Sequence, residues 1–462
     1  MSRLTIADFI KAASGHLIGA SVPNTPFIPS TDSRTLSPGE TFVCLRGPNF
    51  DGHDFITDAV ARGAIAVVVD RPAAAESATV PAIVVDDTKR AYLAGAARAR
   101  KLAAGVQLVG ITGSNGKTTT KEMAAQLIGQ HRRVSATPMN ENNELGLARL
   151  CYALDGVDVA VAEMGARHPG EIEELAGIAA PDVGVLTNVG EAHLEFFEDR
   201  EQLARTKFAL LERSARAVCN AADAWTRRLA VEKGIASSAL WVRLCGDENA
   251  AGLTLEAGSP HDGRVAVSLG ASHAFAEWRL VGEQHLRDAL LAAAAAIHCG
   301  LTFEQIIAGF GSLRLPAGRF ETHALPSGAF VVYDAYNASP TSVAHALRAF
   351  AVLPALRRIV VLGSMAELGD DAAAQHEETG AAAARCLLDA LYCGGEFAEA
   401  LASGARRAGM PPSAVATYSS NAEIAGILRR SLQSGDGVLL KGSRVQRMEE
   451  ILEALAAEKA PT

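Results

Sequence analysis

The run Gly113-Ser114-Asn115-Gly116-Lys117-Thr118-Thr119 has the residue types, in the order, that hold phosphate groups. Its glycines let the backbone curl until successive N–H groups point inward, Lys117 adds a positive charge, and Thr118 offers a hydroxyl to a Mg²⁺ ion. A nucleoside triphosphate suits such a loop best. The strict pattern places glycine where Ile111 stands, so this is a variant, and a plain glycine turn with a surface lysine has the same local spelling. Two further groups could meet the loop's ligand. Glu163 closes the apolar run VDVAVAEMG, and Asn188 and then His193 end the run PDVGVLTNVGEAH. Residues past the carboxyl ends of parallel strands line the ligand crevice, so Glu163 and His193 are candidates to share a metal ion. A lone histidine is, however, more often a satisfied core or surface residue.

Lys207 is the odd residue. In EQLARTKFALLER it falls with Leu203, Leu210 and Leu211 on one face of a predicted helix, where an ammonium is costly to bury. The usual outcome is that such a side chain snorkels to water; the alternative is that its amine loses the proton. A neutral amine can take up CO₂ as a carbamate, which turns a cation into a carboxylate-like metal ligand. The run TPMNENNELG is dense in amides and suits either a loop or recognition of phosphate and sugar oxygens.

Alternating strands and helices must position these groups. VQLVGIT reads as a strand ahead of the loop, and the spacing of Met123, Leu127 and Ile128 as a helix behind it. Upstream, residues 1–104 contain AIAVVVD and AIVVDD, two buried strands of a small α/β unit with no phosphate loop of its own. Its clusters Asp32-Ser33-Arg34 and 49–53, which includes His53, spell either turns or a site for a polar, anionic ligand. Residues 105–313 form a middle block ending beyond an alanine-rich helix at 289–297. Pro316 and Gly318 mark a hinge, and residues 314–462 alternate VVYDAY, RIVVLG, ALYCGG and GVLLKG with helices, as a Rossmann-like unit does.

A chain of 462 residues favours about three domains at roughly 100–200 residues each. The net charge of -9 argues against a sequence-independent grip on nucleic acid, which needs an excess of Lys and Arg. Seven cysteines without a CxxC pair suggest neither a disulfide framework nor a zinc cluster. No signal peptide is seen, and the longest apolar run, 289–297, is well short of the roughly 18–20 residues that span a bilayer. A cytoplasmic protein without membrane insertion is expected.

Taken in order, TGSNGKTTTKEM, TPMNENNELG, AEMGARHPGEI, TNVGEAHLE, AGRFE, DAYNASP, VLGSMAELG and LLKGSR resemble blocks of the Mur ligase family, the ATP-dependent amide-forming enzymes of peptidoglycan precursor synthesis. The resemblance implies an α/β protein of three domains: a UDP-sugar-binding domain at 1–104, a central P-loop ATPase with a parallel sheet at 105–313, and a C-terminal Rossmann-like domain at 314–462 that closes on ATP and binds an amine. Gly113 to Gly116 and Lys117 would hold the β- and γ-phosphates, with Ser114, Asn115 and Thr119 in the same loop and Thr118 on one Mg²⁺. Glu163, His193 and Lys207, the last as N6-carboxylysine, would complete the sites of two Mg²⁺ ions. Arg319 and Asp334 would reach the nucleotide, Asp334 at the ribose, with Tyr336 and Asn337 lining the closed cleft.

His285 and Asp288 stand where the family has asparagines that contact adenine, Gln284 where it has histidine, and Ser364 where an acidic residue is common. Asp32, Ser33, Arg34, Arg46 and His53 would belong to the UDP-sugar site, and Asn140, Asn142 and Asn143 would face the substrate's phosphate and peptide. TDSRTLSPGETFVCLRGPNFDGHDFI and DAYNASPTS favour the members whose substrates are UDP-N-acetylmuramoyl-tripeptide and D-alanyl-D-alanine. A monomer acting on small molecules is expected. The rivals are another amide ligase of the family and a non-catalytic homologue that kept only nucleotide binding.

Overall fold

The strand Gln107–Thr112, apolar and buried, lies inside a nine-stranded sheet and delivers the glycine loop from its carboxyl end. The computed structural model describes residues 4–20, 22, 24–139, 141–190 and 194–457, so the predicted site residues Asn140 and His193 lie outside the described residues. From Gln107–Thr112 the chain moves to one side for Val134–Ala136 and Val159–Glu163, then crosses to the other side for Val183–Leu186. That reversal opens a crevice at the carboxyl ends, the usual ligand position in a parallel sheet. Arg216–Asn220, Leu240–Leu244 and Thr254–Ala257 extend the parallel order, and the ribbon Arg264–Leu269 and Ser272–Glu277 closes the edge antiparallel.

Helices Lys117–Gly129 and Glu283–His298 cover one face of this sheet, sharing a core with Val109, Ile111 and Val161. Alanines 289 and 292–296 are fully buried, and their small side chains let the two helix backbones approach closely. Helices Glu171–Ala179 and Arg200–Glu212 cover the other face.

The first sheet places Pro29–Ser30, Thr41–Val43, Ala66–Val69 and Ala82–Val84 in parallel, with His16–Ile18 antiparallel at its edge. Helix Thr88–Leu102 joins this unit to the middle one through a common apolar cluster that includes Phe9, Tyr92, Leu147 and Leu175. Lys89 pairs with Glu144 at 2.8 Å, and the Tyr152 hydroxyl donates to the Tyr92 carbonyl at 2.6 Å.

The third sheet has the order Glu321–Ala324, Phe330–Tyr333, Gly437–Lys441, Arg358–Leu362, Ala390–Gly394, Val415–Tyr418, parallel except for the first strand. Its last strand in sequence is inserted beside its first parallel one, which brings residues 334 and 441 to the same edge. The segment leading into this unit is strapped to the phosphate-loop helix, because Gln126 accepts from Arg314 N–H at 2.8 Å and donates to its carbonyl at 3.0 Å. Among the described residues no helix is long and apolar enough to cross a membrane.

Candidate active site

The loop is held in shape by the end of the neighbouring strand. Asn188 and Thr187, just past the neighbouring strand, fix it: the Ser114 and Asn115 N–H groups donate to Asn188, and the Thr187 hydroxyl donates to the Asn115 carbonyl at 2.6 Å. Gly113 has φ +150°, and a Cβ there would lie 1.9 Å from the Thr187 hydroxyl. Gly116 has φ +81°, and a Cβ there would meet the Asp288 carboxylate at 2.4 Å. Both positions therefore require glycine.

Lys117 folds back over the loop, its Nζ donating to the Gly113 carbonyl at 2.7 Å and the Ser114 carbonyl at 3.2 Å. Burial lowers its pKa; Glu163 pulls the other way, Arg319 adds to the lowering and Glu367 opposes it. Those three names define what surrounds the lysine: one carboxylate from the middle unit, and a guanidinium and a carboxylate from the third. Thr118 and Thr119 follow in the first turn of the helix, whose N-terminus carries partial positive charge toward the same spot.

Glu163 is the final residue of its strand and pairs in register with Ile111. Its main-chain N–H donates to the Thr137 hydroxyl at 2.9 Å, and Asn142 donates to Oε1 at 3.0 Å. Oε2 is buried with no partner among the described residues, as befits a carboxylate that awaits a cation. Lys207 does not snorkel. Its side chain is fully buried and Nζ has no partner among the described residues. Burial drives its pKa well below the usual value, and Lys117 adds to the effect while Glu171 opposes it. The snorkelling outcome is thus corrected: helix Arg200–Glu212 packs on the sheet between its neighbours Glu171–Ala179 and Ala224–Glu232, and Lys207 sits on its covered side.

The amide loop is divided in role. Asn142 orients Glu163, whereas Asn143 caps helix Glu144–Tyr152 by accepting from Gly146 N–H at 3.0 Å. Buried Lys121 on the phosphate-loop helix straps this loop through the Thr137 carbonyl at 2.7 Å and the Met139 carbonyl at 3.0 Å.

The third unit meets the loop directly. Ser339, the N-cap of helix Pro340–Ala351, donates to the Asn115 side chain at 3.0 Å. Arg167 pairs with Glu367 at 3.2 Å across the same gap. Arg319 stacks on Tyr336, with its guanidinium carbon 4.5 Å from the ring centroid, and its Nε has no partner among the described residues. Asp334 accepts from Phe320 N–H at 3.4 Å and pairs with Lys441 at 3.0 Å; Asn337 is exposed. His285 is held by the Val281 carbonyl, packs 5.5 Å from the Phe320 ring, and has its pKa lowered by burial. Asp288 is buried between Gly116 and Thr120, the latter at 3.4 Å, and burial pushes its pKa up to about 8 even though Arg319 opposes the rise.

The first unit gathers its candidates at the carboxyl ends of its parallel strands. Arg34 forks onto Asp32 at 2.9 and 2.8 Å, and this pairing holds Asp32 near 2; Ser33 beside them is buried. His53 is clasped by Asp51 at 2.6 Å on Nδ1 and meets Asp70 at 3.3 Å on Nε2. Arg46 pairs with Asp70, and Arg71 pairs with Asp51. Both ring nitrogens of His53 are engaged, so it shapes the cluster while the half-exposed Arg46 and Arg71 face outward. Arg71, Lys121, Thr137, Arg167, Ser339, Glu367 and Lys441 were not predicted. Each acts by a tertiary contact, for which local sequence carries no periodic signal.

Among the described residues no three His, Cys, Asp or Glu side chains gather as a ready metal cluster. The unpartnered Glu163 oxygen and the Thr118 hydroxyl nevertheless fit a cation whose remaining ligands come from phosphate oxygens, and buried Lys207, its pKa driven down by burial, is suited to conversion into a carbamate.

The Mur ligase middle-domain model matches residues 111–296, the Mur ligase glutamate ligase domain model matches 318–444, and the Mur ligase catalytic-domain model matches 28–101. UDP-N-acetylmuramoyl-tripeptide--D-alanyl-D-alanine ligase of Mycobacterium tuberculosis (strain CDC 1551 / Oshkosh) is 34% identical over 99% of this chain and 98% of its own. The enzyme of that name from Escherichia coli (strain K12) is 32% identical over 98% and 99%. Among solved structures, MurF from Acinetobacter baumannii superposes with a TM-score of 0.87 at 27% identity, covering 98% of this chain and 99% of the other. MurF ligase from Thermotoga maritima in complex with ADP gives 0.80 at 30% identity, covering 93% and 97%.

Proposed function

The chain belongs to the Mur ligase family, and from that premise we propose that it joins D-alanyl-D-alanine to UDP-N-acetylmuramoyl-tripeptide while converting ATP to ADP and phosphate. The observation that carries this reading is the meeting of the middle and third units over the phosphate loop. The loop with Lys117 and Glu163 come from the middle unit, and Ser339, Arg319 and Glu367 from the third. The first unit is joined to the middle one through a shared apolar cluster.

The terminal carboxylate of the tripeptide attacks the γ-phosphorus, forming an acyl phosphate and breaking the bond to ADP. The amino group of D-alanyl-D-alanine then attacks the acyl carbon, phosphate leaves, and the amine gives up its proton to solvent. The N–H groups at the start of helix Lys117–Gly129, the partial positive charge of its N-terminus and Lys117 hold the β- and γ-phosphates and offset the charge of two anions brought together. Mg²⁺, when bound, would supply the remaining charge neutralisation, and Thr118, Glu163, His193 and a carbamylated Lys207 would hold it. Asn142 holds one oxygen of the Glu163 carboxylate and leaves the other without a partner among the described residues. Arg319 and Asp334 reach the nucleotide from the third unit, with Tyr336 holding the guanidinium plane. The Ser339 to Asn115 bond ties closure of the third unit to the loop itself, so the amine site is complete only when the phosphates are covered from water. His285 and Asp288 border the adenine side, and Arg34, Arg46 and Arg71, each held by an aspartate, offer their outward N–H groups to the UDP moiety.

We place the reaction in the cytoplasm, on a monomer. The test is phosphate release with UDP-N-acetylmuramoyl-tripeptide, with and without D-alanyl-D-alanine. Release that requires both substrates is expected. Release driven instead by another acid and amine of a panel would transfer the assignment to a different amide ligase, and ATP binding without any stimulated release would reduce the protein to a nucleotide-binding homologue.

A further inference from the structure

The block LLKGSR has no part in the chemistry above, yet it ends the strand Gly437–Lys441 in a lysine that the fold leaves only 1% exposed. An ammonium has three N–H bonds, and all three of Lys441 are taken. They go to the Asp334 carboxylate at 3.0 Å, the Asp334 carbonyl at 3.1 Å and the Asn337 carbonyl at 2.7 Å. The sheet order produces this meeting, since Tyr333 pairs with Leu440 and the two chains leave the sheet side by side. Burial pushes the ammonium's pKa down while Asp334 pulls it up and Arg319 lowers it further.

A cation with every donor engaged cannot also touch a ligand, so its influence passes through what it holds. It holds the segment 334–337, which also carries Tyr336. The opposite side of that segment is fixed by the Phe320 N–H on the second carboxylate oxygen at 3.4 Å and by the Tyr336 N–H on the Gly318 carbonyl at 3.3 Å. One oxygen of Asp334 is thereby pinned by the lysine and the other by main chain. Each keeps a lone pair for a ligand hydroxyl.

We propose that Lys441 is the positioning residue that fixes the Asp334 carboxylate in the orientation that receives the hydroxyls of the nucleotide ribose. This rests on Asp334 being the ribose contact. Without the ammonium, a buried carboxylate with one weak main-chain donor turns toward whatever solvent or cation it can reach.

The experiment is titration calorimetry of ADP against 2′,3′-dideoxy-ADP on wild type, Asp334→Ala, Lys441→Met and the double variant. The quantity read is the ratio of the two dissociation constants. A fraction of unfolded protein alters the stoichiometry but neither affinity, so a merely structural defect leaves the ratio unmoved. The wild type should discriminate by at least about 10-fold, Asp334→Ala should fall to about 1, and Lys441→Met should fall to within about 3-fold of Asp334→Ala. The double variant should lose nothing more. Should Lys441→Met fail to fold, Lys441→Gln, which keeps two donors, is read the same way and should lie between wild type and Asp334→Ala. Wild-type discrimination in the lysine variant beside lost discrimination in Asp334→Ala overturns the positioning role alone. Unchanged discrimination in Asp334→Ala removes the ribose contact itself, and the proposal with it.

Discussion

Replacing Asp288 by asparagine should stabilise the nucleotide-free protein at pH 8 and do much less at pH 5. The carboxyl group is buried against Gly116 and Thr120 in the contact between helices Lys117–Gly129 and Glu283–His298, and burial lifts its pKa from 3.8 to about 8. The unfolded chain gives up this proton near 3.8 and the folded chain keeps it until about 8. Between those values the folded state therefore binds more protons, and stability falls as pH rises through that window. Each pH unit is worth at most about 1.4 kcal/mol, a ceiling of about 4 kcal/mol between pH 5 and pH 8. Relaxation of the site reduces this, and about 2 kcal/mol is expected. Asparagine has the same shape, can still pair with Thr120 and does not ionise. The gap in Tm between variant and wild type should thus widen by about 5 °C from pH 5 to pH 8, at roughly 2–4 °C per kcal/mol for a unit of this size. Differential scanning fluorimetry without nucleotide reads it directly. Parallel pH profiles for the two proteins would refute the reasoning, because they would mean that Asp288 ionises in the folded state as it does in the unfolded one.

Lys117→Ala should lower ligation by at least about 10³-fold, the scale of a lost charge clamp, and steady-state phosphate release with turnover near wild type would contradict the loop assignment. Lys207→Ala should be inactive and partly rescued by added short carboxylates; full activity of the wild type in CO₂-depleted buffer would rule out the carbamate. Lys121→Met, which frees the amide loop from the phosphate-loop helix, should raise KM for the tripeptide substrate about 10-fold with KM for ATP changed by less than about 3-fold. An equal rise in both constants would show that Lys121 supports the helix rather than the loop.

The phosphate loop and the strand ends were legible because they are local: glycines at positive φ, an apolar run before them and a polar residue at the carboxyl end leave marks in a few consecutive residues. Glu163 is the clearest case, being predicted at a strand end and found in register with Ile111. Lys207 was legible as a misplaced charge, but not its fate, since whether a lysine reaches water depends on which helix covers it. Asn143 illustrates the opposite difficulty: an amide in a polar run spells recognition and helix capping alike, and here it caps. Lys441 and Ser339 lay in noted motifs but revealed their partners only when the third sheet inserted its last strand beside its first and turned helix Pro340–Ala351 toward Asn115. Contacts between residues more than 100 positions apart have no spelling in one sequence.

Transfer of oxygen tests the chemistry most directly. If the terminal carboxylate of UDP-N-acetylmuramoyl-tripeptide is labelled with ¹⁸O and ligated to D-alanyl-D-alanine, mass spectrometry of the phosphate released should find one labelled oxygen per turnover, because the attacking carboxylate oxygen leaves with the phosphoryl group. Unlabelled phosphate accompanying amide formation would mean that the carboxyl group is never phosphorylated, and would contradict the account.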